Sequence, residues 1–195
     1  MLQMKKHLHY KIYKPFGMLS QFISNDEKEA RKKHFLGELY DFPEGIMPVG
    51  RLDEKSEGLL LLTTDGKLSD TINQSGIEKE YYAQLDGEIP HEDILQLERG
   101  VLIGLSGKKY ITKPCRVKTL LDAPLLADPD TKLRIGTHRP NSWISITLTE
   151  GKFRQVRKMT AAVGFPTLRL IRVRIGTQIL EELEPGTVVQ IDALL

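Results

Sequence analysis

The chain has 195 residues, of which 40% are hydrophobic, and this is enough for one sizeable buried core or two small ones. The formal net charge is only +2, so overall charge does not by itself indicate a polyanionic partner. The single cysteine excludes an internal disulfide and a cysteine-based metal cluster. No apolar run has the length of a secretory signal or of a membrane span, so we expect a globular, cytoplasmic protein.

In the first part of the chain, short apolar segments alternate with charged ones. Strands are predicted at 7–13, 46–49 and 58–63, and helices or ordered loops at 25–38 and 67–74. For 25–38 the start signal is the capping-box spacing of Ser24 and Glu27. A polar connection, 51–57, lies between the second and third strands and concentrates charged groups there.

The second part contains more strands than helices. Strands are predicted at 79–86, 109–120 (one long strand or a pair), 143–149, 167–175 and 187–191, and helices at 90–99 and 152–163. A phase slip in the apolar pattern of 167–175 indicates a β-bulge or a strand buried on both faces. Three prolines and mixed charges in 122–141 predict an irregular surface loop.

These elements predict an α+β fold with a mixed, mostly antiparallel sheet flanked by helices, because neighbouring strands often have no helix between them. We expect a single domain over 1–195, with two closely packed subdomains at about 7–76 and 77–192.

Common cofactor and metal motifs are absent from the sequence. It has no glycine-rich dinucleotide motif, no P-loop, and no pair of histidines at metal-binding helical spacing. His7 and His9 could chelate a metal, but solvated histidines are more common at such positions. We expect no metal and no cofactor, and the remaining catalytic candidates are carboxylates, tyrosines and arginines.

The basic residues are segregated in 151–180, which has seven lysines and arginines and no acid. This composition indicates an anion-binding face. At helical spacing Phe153, Val156, Met159, Thr160 and Val163 form one apolar stripe. Arg157 lies at its border, where an arginine usually meets a carboxylate or a phosphate. Ordinary solvated charges remain an alternative, above all for Arg154 and Lys158.

Arg51 and Asp53 lie two residues apart in the polar connection, bracketed by Gly50 and Gly58. A neighbouring cation keeps a partly buried carboxylate ionised, as a carboxylate nucleophile or base requires. Most such pairs in turns are surface ion pairs, so spacing alone leaves both possibilities open.

Three segments together resemble a known family. They are GRLDEKSEGLLLLTTDG (50–66), EKEYYAQLDG (78–87) and LTEGKFRQVRKMTAAVGFPTLRLIRVRIG (148–176). They resemble the ordered motifs of the RsuA-type pseudouridine synthases of bacterial ribosomal RNA, most closely the branch that modifies 23S ribosomal RNA. The likeness extends from the Lys14-Pro15 turn to about Gly176, which is most of the chain.

The resemblance implies a cofactor-free isomerase that converts a flipped-out uridine of 23S ribosomal RNA to pseudouridine. It implies that Asp53 is the essential aspartate, with Arg51 beside it, Tyr81 packing on the base and Arg157 pairing with the aspartate. Tyr82 is an alternative to Tyr81, since only one of two adjacent strand residues can face the site. The expected RNA-binding positions are Lys14, Lys152, Arg154, Lys158, Leu170, Arg172 and Arg174.

Many relatives in this family carry an N-terminal S4-like RNA-binding domain, and because the first strand is predicted from residue 7, we expect this chain to lack that domain. We therefore expect site selection to lie in the loop 122–141 and the basic tract 151–180, in a monomer without an obligatory protein partner. One alternative is a non-catalytic ribosomal RNA-binding or ribosome-assembly factor. Another is a glycosidase using Asp53 with Glu54 or Glu57, which would leave the basic tract unexplained.

Overall fold

A computed structural model describes residues 6–133, 135 and 139–195 of the chain. The chain divides into two compact units: unit 1 combines the described residues up to Ile77 with Thr177–Leu195, and unit 2 is Glu78–Gly176. This division differs from the predicted subdomains 7–76 and 77–192 at the C-terminal end. The reason is that Val188–Ile191 pairs antiparallel with His9–Lys14, which returns the end of the chain to unit 1.

Unit 1 is built on four antiparallel strands, which are hydrogen-bonded in the order β13 (Val188–Ile191), β1 (His9–Lys14), β5 (Glu57–Thr63) and β4 (Met47–Val49). Its elements are β1 (His9–Lys14), β2 (Met18–Leu19), α1 (Glu27–Lys32), β3 (His34–Phe35), a 3₁₀ turn (Leu36–Glu38), β4 (Met47–Val49), β5 (Glu57–Thr63), α2 (Gly66–Gln74), β12 (Gln178–Ile179) and β13 (Val188–Ile191). Every residue of β5 is buried, as its continuous apolar run predicts. Its Leu60 and Leu62 pack with Tyr10 and Ile12 of β1 and with Leu36.

Unit 2 contains an antiparallel sheet with the strand order β11 (Thr167–Ile175), β6 (Lys79–Asp86), β10 (Asn141–Leu148) and β9 (Arg116–Leu120). Its elements are β6 (Lys79–Asp86), α3 (His91–Arg99), β7 (Leu102–Leu105), β8 (Lys108–Ile111), β9 (Arg116–Leu120), β10 (Asn141–Leu148), α4 (Gln155–Ala162) and β11 (Thr167–Ile175). One face of this sheet packs against α3 and α4. The core there includes Ala83, Ile144 and Ile146 from the strands and Val156 and Met159 from α4.

The predicted fold class is confirmed: the protein is α+β with a mostly antiparallel sheet and few helices. Both alternatives for 167–175, a β-bulge or a strand buried on both faces, agree with the structure: the register between β11 and β6 shifts twice, and the consecutive residues 169–172 are all buried. Within 25–38, predicted as a helix or an ordered loop, α1 covers only Glu27–Lys32, and β3 and the 3₁₀ turn follow it. The N-cap of α1 is Asp26, whose carboxylate accepts from the Lys28 and Glu29 amides, and not Ser24.

Of the two alternatives for 109–120, one long strand or a pair, the pair is confirmed, as β8 and β9. The first of them pairs with β7 in a hairpin that the sequence analysis missed. Its turn places Ser106 and Gly107 at φ of +47° and +79°, a conformation that glycine accepts without strain.

The described residues of the predicted loop 122–141 contain no helix or strand before β10 begins at Asn141, whereas residues 134 and 136–138 lie outside the described residues. Arg169 of β11 donates to the Ala127 carbonyl at 2.9 Å, which ties this loop to the sheet.

Candidate active site

Arg51, Leu52 and Asp53 lie on the connection between β4 and β5 in unit 1. Arg51 is exposed, Leu52 is buried and Asp53 is half-buried, so the carboxylate lies at a border with solvent. Gly50 begins the connection at a φ of +70°, and a Cβ there would lie 3.0 Å from Asn73 Oδ1. A side chain at position 50 would be disfavoured by both effects, so the turn that presents Asp53 needs glycine here.

Hydrogen bonds fix the backbone on both sides of Asp53. Ser20 Oγ donates to the Leu52 carbonyl at 2.8 Å and accepts from the Leu52 amide at 2.9 Å. Ser20 is 6% exposed and Leu52 is 7% exposed, so both bonds are shielded from water. On the other side, the Gly17 amide donates to the Glu54 carbonyl at 2.9 Å. The segment that follows β1 therefore holds the Asp53 connection in place.

Lys14 belongs to this scaffold and not to the surface. Its side chain is fully buried, and its ammonium donates to the carbonyls of Pro15 and Met18 at 2.7 Å and of Glu54 at 3.4 Å. The expectation that Lys14 contacts RNA is therefore corrected, because backbone carbonyls occupy its ammonium. Lys33 also binds this connection, with its ammonium 2.7 and 2.8 Å from the Glu54 carboxylate oxygens.

The carboxylates that a glycosidase would use beside Asp53 are engaged elsewhere. Glu54 is bound by Lys33, and Glu57, only 2% exposed on β5, accepts a hydrogen bond from the Tyr13 hydroxyl at 3.2 Å. Neither carboxylate is presented as a second acid in an open cleft of unit 1. The structure therefore gives the glycosidase alternative no support.

Tyr81 and Tyr82 of β6 point to opposite faces of the unit 2 sheet, as strand alternation requires. Tyr81 packs against the core cluster on the face that carries α3 and α4. Tyr82 lies opposite Ser145 of β10, on the other face. Burial raises the pKa of the Tyr82 hydroxyl, and the nearby Glu80 carboxylate raises it further.

Three residues that the sequence analysis singled out are brought together beside β6. Arg172 of β11 is the register partner of Tyr81, and Leu170 is the partner of Ala83 in the same core cluster. Arg172 is 2% exposed, and Leu170 is 5% exposed. Burial lowers the pKa of Lys79, two residues before Tyr81, and the charge of Arg172 lowers it further.

Arg157 lies on α4, whose inner face is buried as the apolar stripe predicted. Val156, Met159 and Thr160 are buried there. Arg157 is half-buried at the border of this stripe, and its Nη1 donates to the Thr167 carbonyl at the start of β11, at 3.1 Å. Phe153 was expected in the stripe but is 72% exposed, because α4 begins only at Gln155 and Arg154 has a φ of +53°.

Two lysines of the predicted RNA-binding set lie against the β7–β8 hairpin. Lys158 donates to the Gly104 carbonyl at 2.8 Å, and its ammonium lies 5.0 Å from the centre of the Phe153 ring. The Lys152 ammonium lies 5.4 Å from the centre of the Tyr110 ring.

Arg174 is bound by acids within its own unit. Its Nε donates to Glu80 at 2.9 Å, its Nη2 to Glu78 at 3.0 Å and its Nη1 to the Gly176 carbonyl at 3.1 Å. Hydrogen bonds from Arg116 and Arg174 keep the pKa of Glu78 below its ordinary value. A phosphate at Arg174 would have to compete with two carboxylates.

Glu150 is the centre of a hydrogen-bond network that was not predicted from the sequence. This carboxylate accepts from the Tyr110 hydroxyl, from the Gln155 side chain at 2.6 Å and from the Lys113 amide at 3.0 Å. The Gln155 side chain also accepts from the Lys152 amide at 2.9 Å. The network joins the hairpin to the start of α4, and the only sequence signal for it is an acid immediately before the acid-free tract.

In unit 1 the structure thus places Arg51 and Asp53 on one connection, and in unit 2 it groups Tyr81, Leu170 and Arg172. Among the described residues there is no group of three or more histidine, cysteine, aspartate or glutamate side chains that could hold a metal ion. No helix in the described part of the chain is long and apolar enough to cross a membrane.

Comparison with protein families identifies one match. The family model described as RNA pseudouridylate synthase matches residues 9–162. The chain is 41% identical to ribosomal large subunit pseudouridine synthase E of Xanthomonas campestris pv. campestris, over 89% of each chain. It is 38% identical to the protein of the same name from Vibrio parahaemolyticus, over 89% of this chain and 69% of that protein.

Solved structures give the same result for the fold. A protein described as pseudouridylate synthase superimposes with a TM-score of 0.76 and 27% identity, over 96% of this chain and 71% of that one. Human RNA pseudouridylate synthase domain containing 1 superimposes with a TM-score of 0.52, but at 16% identity this match concerns the fold alone.

Proposed function

Since the chain belongs to the RNA pseudouridylate synthase family, we propose that it isomerises a specific uridine of 23S ribosomal RNA to pseudouridine, with Asp53 as the catalytic carboxylate. The observation that carries the substrate assignment is the 41% identity, over 89% of both chains, to a relative named for the large ribosomal subunit. The proposal extends to a monomer that acts in the cytoplasm without an obligatory protein partner.

The reaction replaces one carbon–nitrogen bond by a carbon–carbon bond and leaves the composition of the nucleotide unchanged. The bond from ribose C1′ to uracil N1 breaks, the base rotates, a bond forms from C1′ to C5, C5 loses its proton and N1 gains one. Asp53 would either attack the base or sugar as a nucleophile or remove a sugar proton as a base. Its half-buried position, on a backbone fixed by Ser20 and Gly17, supports either role because a fixed carboxylate needs little reorganisation.

The unit 2 residues are proposed to bind and orient the base. Tyr81 would pack on the uracil ring and assist the loss of the C5 proton, with Leu170 completing an apolar wall. The resemblance to the family implies that Arg157 orients Asp53, with Arg51 beside that carboxylate. The location of Tyr81 on the face that carries α4, opposite to that of Tyr82, favours Tyr81 as the ring that contacts the base.

The RNA backbone is proposed to lie along the basic tract of unit 2. Lys152, Arg154 and Lys158 would contact phosphates, and Arg172 would act close to the base. A uridine stacked in a helix is out of reach, so it must flip out at a cost of a few kcal/mol, which these backbone contacts would offset. The isomerisation needs no redox cofactor, because no electrons are exchanged with another molecule.

The rival function is a non-catalytic ribosomal RNA-binding or assembly factor, for which a basic tract alone would suffice. The two differ in their dependence on Asp53. Pseudouridine in 23S ribosomal RNA would be mapped in a strain lacking the gene and in the same strain supplied with wild-type or Asp53→Asn protein. We expect one pseudouridine to disappear on deletion and to return only with the wild-type protein. An unchanged pseudouridine map in the deletion strain would overturn the proposed substrate.

A further inference from the structure

The β7–β8 hairpin is held firmly against the segment that leads into α4. Tyr110, on its inner face, packs against the core cluster, while its hydroxyl binds Glu150. Burial alone would raise the pKa of Glu150, but hydrogen bonds from Tyr110, Lys113 and Gln155 together lower it. An ionised, fully hydrogen-bonded carboxylate at this junction gives the hairpin and segment 151–154 a fixed relative position.

The outer side of this junction presents an aromatic ring to solvent. Phe153 is 72% exposed, although it is one of only six phenylalanines in the chain. The Lys158 ammonium joins Phe153 to the hairpin, since it lies 5.0 Å from the ring centre and donates to the Gly104 carbonyl at 2.8 Å. No described atom lies within 4 Å of the position that a Cβ on Gly104 would occupy, so the space beside the ring is open.

The charge around this ring has one sign. The segments 100–113 and 151–158 contain no aspartate or glutamate. They contain seven basic residues, which are Lys108, Lys109, Lys113, Lys152, Arg154, Arg157 and Lys158. Lys108 and Lys109 are exposed, and Lys109 is the register partner of Gly104. The nearby acid, Glu150, is engaged in the internal network described above.

We propose that the outer side of the β7–β8 hairpin and segment 151–154 bind single-stranded RNA, with an unpaired base stacked on Phe153 and adjacent phosphates held by Lys109 and Lys158. We call this surface the Phe153 platform. It would take a nucleotide other than the uridine that is isomerised, and the inference rests on the proposed function in taking RNA as the ligand.

Charge complementarity favours RNA over a protein partner at this surface. An exposed aromatic ring among lysines is the combination that single-stranded nucleic acids use, because every base has a face to stack and every linkage has a negative phosphate. Leu102 and Ile111 form an exposed cross-strand pair on the outer side of the hairpin, 52% and 68% exposed, and extend the apolar area beside the ring. A duplex would offer phosphates but no unpaired base face.

The first test compares substitutions of Phe153 by fluorescence anisotropy with a labelled 12-nucleotide oligouridine and a duplex RNA of equal length. We expect Phe153→Ala to weaken oligouridine binding by about 5- to 100-fold and to leave duplex binding nearly unchanged. Phe153→Tyr should bind like the wild type, and Phe153→Leu should bind like Phe153→Ala. The matched control is Ile23→Ala, which truncates another exposed apolar side chain, 76% exposed, in unit 1.

Equal losses with the oligouridine and the duplex, or full binding by Phe153→Leu, would overturn the stacking role. Because Phe153 is largely exposed, Phe153→Ala should retain the wild-type melting temperature.

The second test measures the phosphate contacts through salt dependence. The variant Lys109→Gln should reduce the slope of log Kd against log salt for oligouridine by about 0.7. Its matched control is Lys28→Gln on α1, which removes the same charge from an exposed position and should leave the slope nearly unchanged. Equal slopes for the two variants would refute the contribution of the hairpin lysine.

Failure of the platform is distinguishable from failure of the proposed function. Tritium release from 23S ribosomal RNA labelled at uridine C5 reports isomerisation directly. If the enzyme releases tritium but Phe153→Ala leaves oligouridine binding unchanged, the platform is refuted and the function stands. If Phe153→Ala weakens binding selectively but the wild type releases no tritium, the proposed function fails while the RNA surface stands.

Discussion

Ser20→Ala tests whether the backbone beside Asp53 is held in position by a single hydroxyl. The substitution removes the Oγ that donates to the Leu52 carbonyl at 2.8 Å and accepts from its amide at 2.9 Å. Ser20 and Leu52 are 6% and 7% exposed, so water cannot readily replace the hydroxyl. Leaving a buried polar group without a partner costs about 1–3 kcal/mol, so two such groups predict a loss of about 2–4 kcal/mol after partial relaxation.

Urea denaturation gives the free energy of unfolding of the wild type, Ser20→Ala and the control Ser75→Ala. In the control, the lost hydroxyl is exposed and donates to the Ile72 carbonyl at the end of α2, so we expect a loss below about 0.5 kcal/mol. Under conditions where Ser20→Ala is folded, its kcat should fall about 10- to 100-fold, because Asp53 is displaced, while its Kd for RNA stays unchanged. A folded Ser20→Ala protein with wild-type kcat would refute the positioning role.

Three further predictions concern unit 2. Arg174→Ala should reduce the free energy of unfolding in urea by about 1–3 kcal/mol, because it leaves the Glu80 carboxylate without the guanidinium that binds it, whereas Glu78 retains its ion pair with Arg116. A loss below about 0.5 kcal/mol would contradict this. The pKa of Glu150 in the folded protein is below its ordinary value of 4.5, so the stabilisation by this carboxylate is present above pH 4.5 and is lost as the pH falls through the folded-state pKa. The difference in melting temperature between the wild type and Glu150→Gln should therefore shrink from pH 6 to pH 3. A constant difference would argue against the network. Burial raises the pKa of the Cys115 thiol from 9.0 to about 12. Alkylation of this thiol by iodoacetamide at pH 8 should therefore be about a thousandfold slower in the native protein than in urea. Native and unfolded rates within tenfold of each other would exclude this burial.

The strands were easier to predict than the ends of the helices, because strand signals are local. The continuous apolar run of β5 is sufficient to show that both faces of that strand are buried. The start of α4 depends instead on Arg154, whose positive φ delays the helix to Gln155, three residues after the predicted start at 152. The short β7 has no signal of its own, since its four residues form a strand only by pairing with β8.

The residues of the candidate site also differ in whether the sequence predicts their position. Arg157 at the border of an apolar helical stripe was predictable from spacing, because helix geometry fixes which face a residue occupies. Lys14 was not predictable, because its burial depends on carbonyls of Met18 and Glu54 that only the fold brings to its ammonium. The role of Ser20 is equally hidden in sequence, since its bonds to Leu52 span 32 positions.

The most direct test of the account is tritium release from 23S ribosomal RNA labelled at uridine C5, measured with purified wild-type, Asp53→Asn and Asp70→Asn proteins. Asp70 is an exposed acid on α2, so its substitution controls for the loss of one negative charge. We expect release by the wild type and Asp70→Asn, and none by Asp53→Asn despite an unchanged Kd for the RNA. Release by Asp53→Asn at the wild-type rate would contradict this expectation.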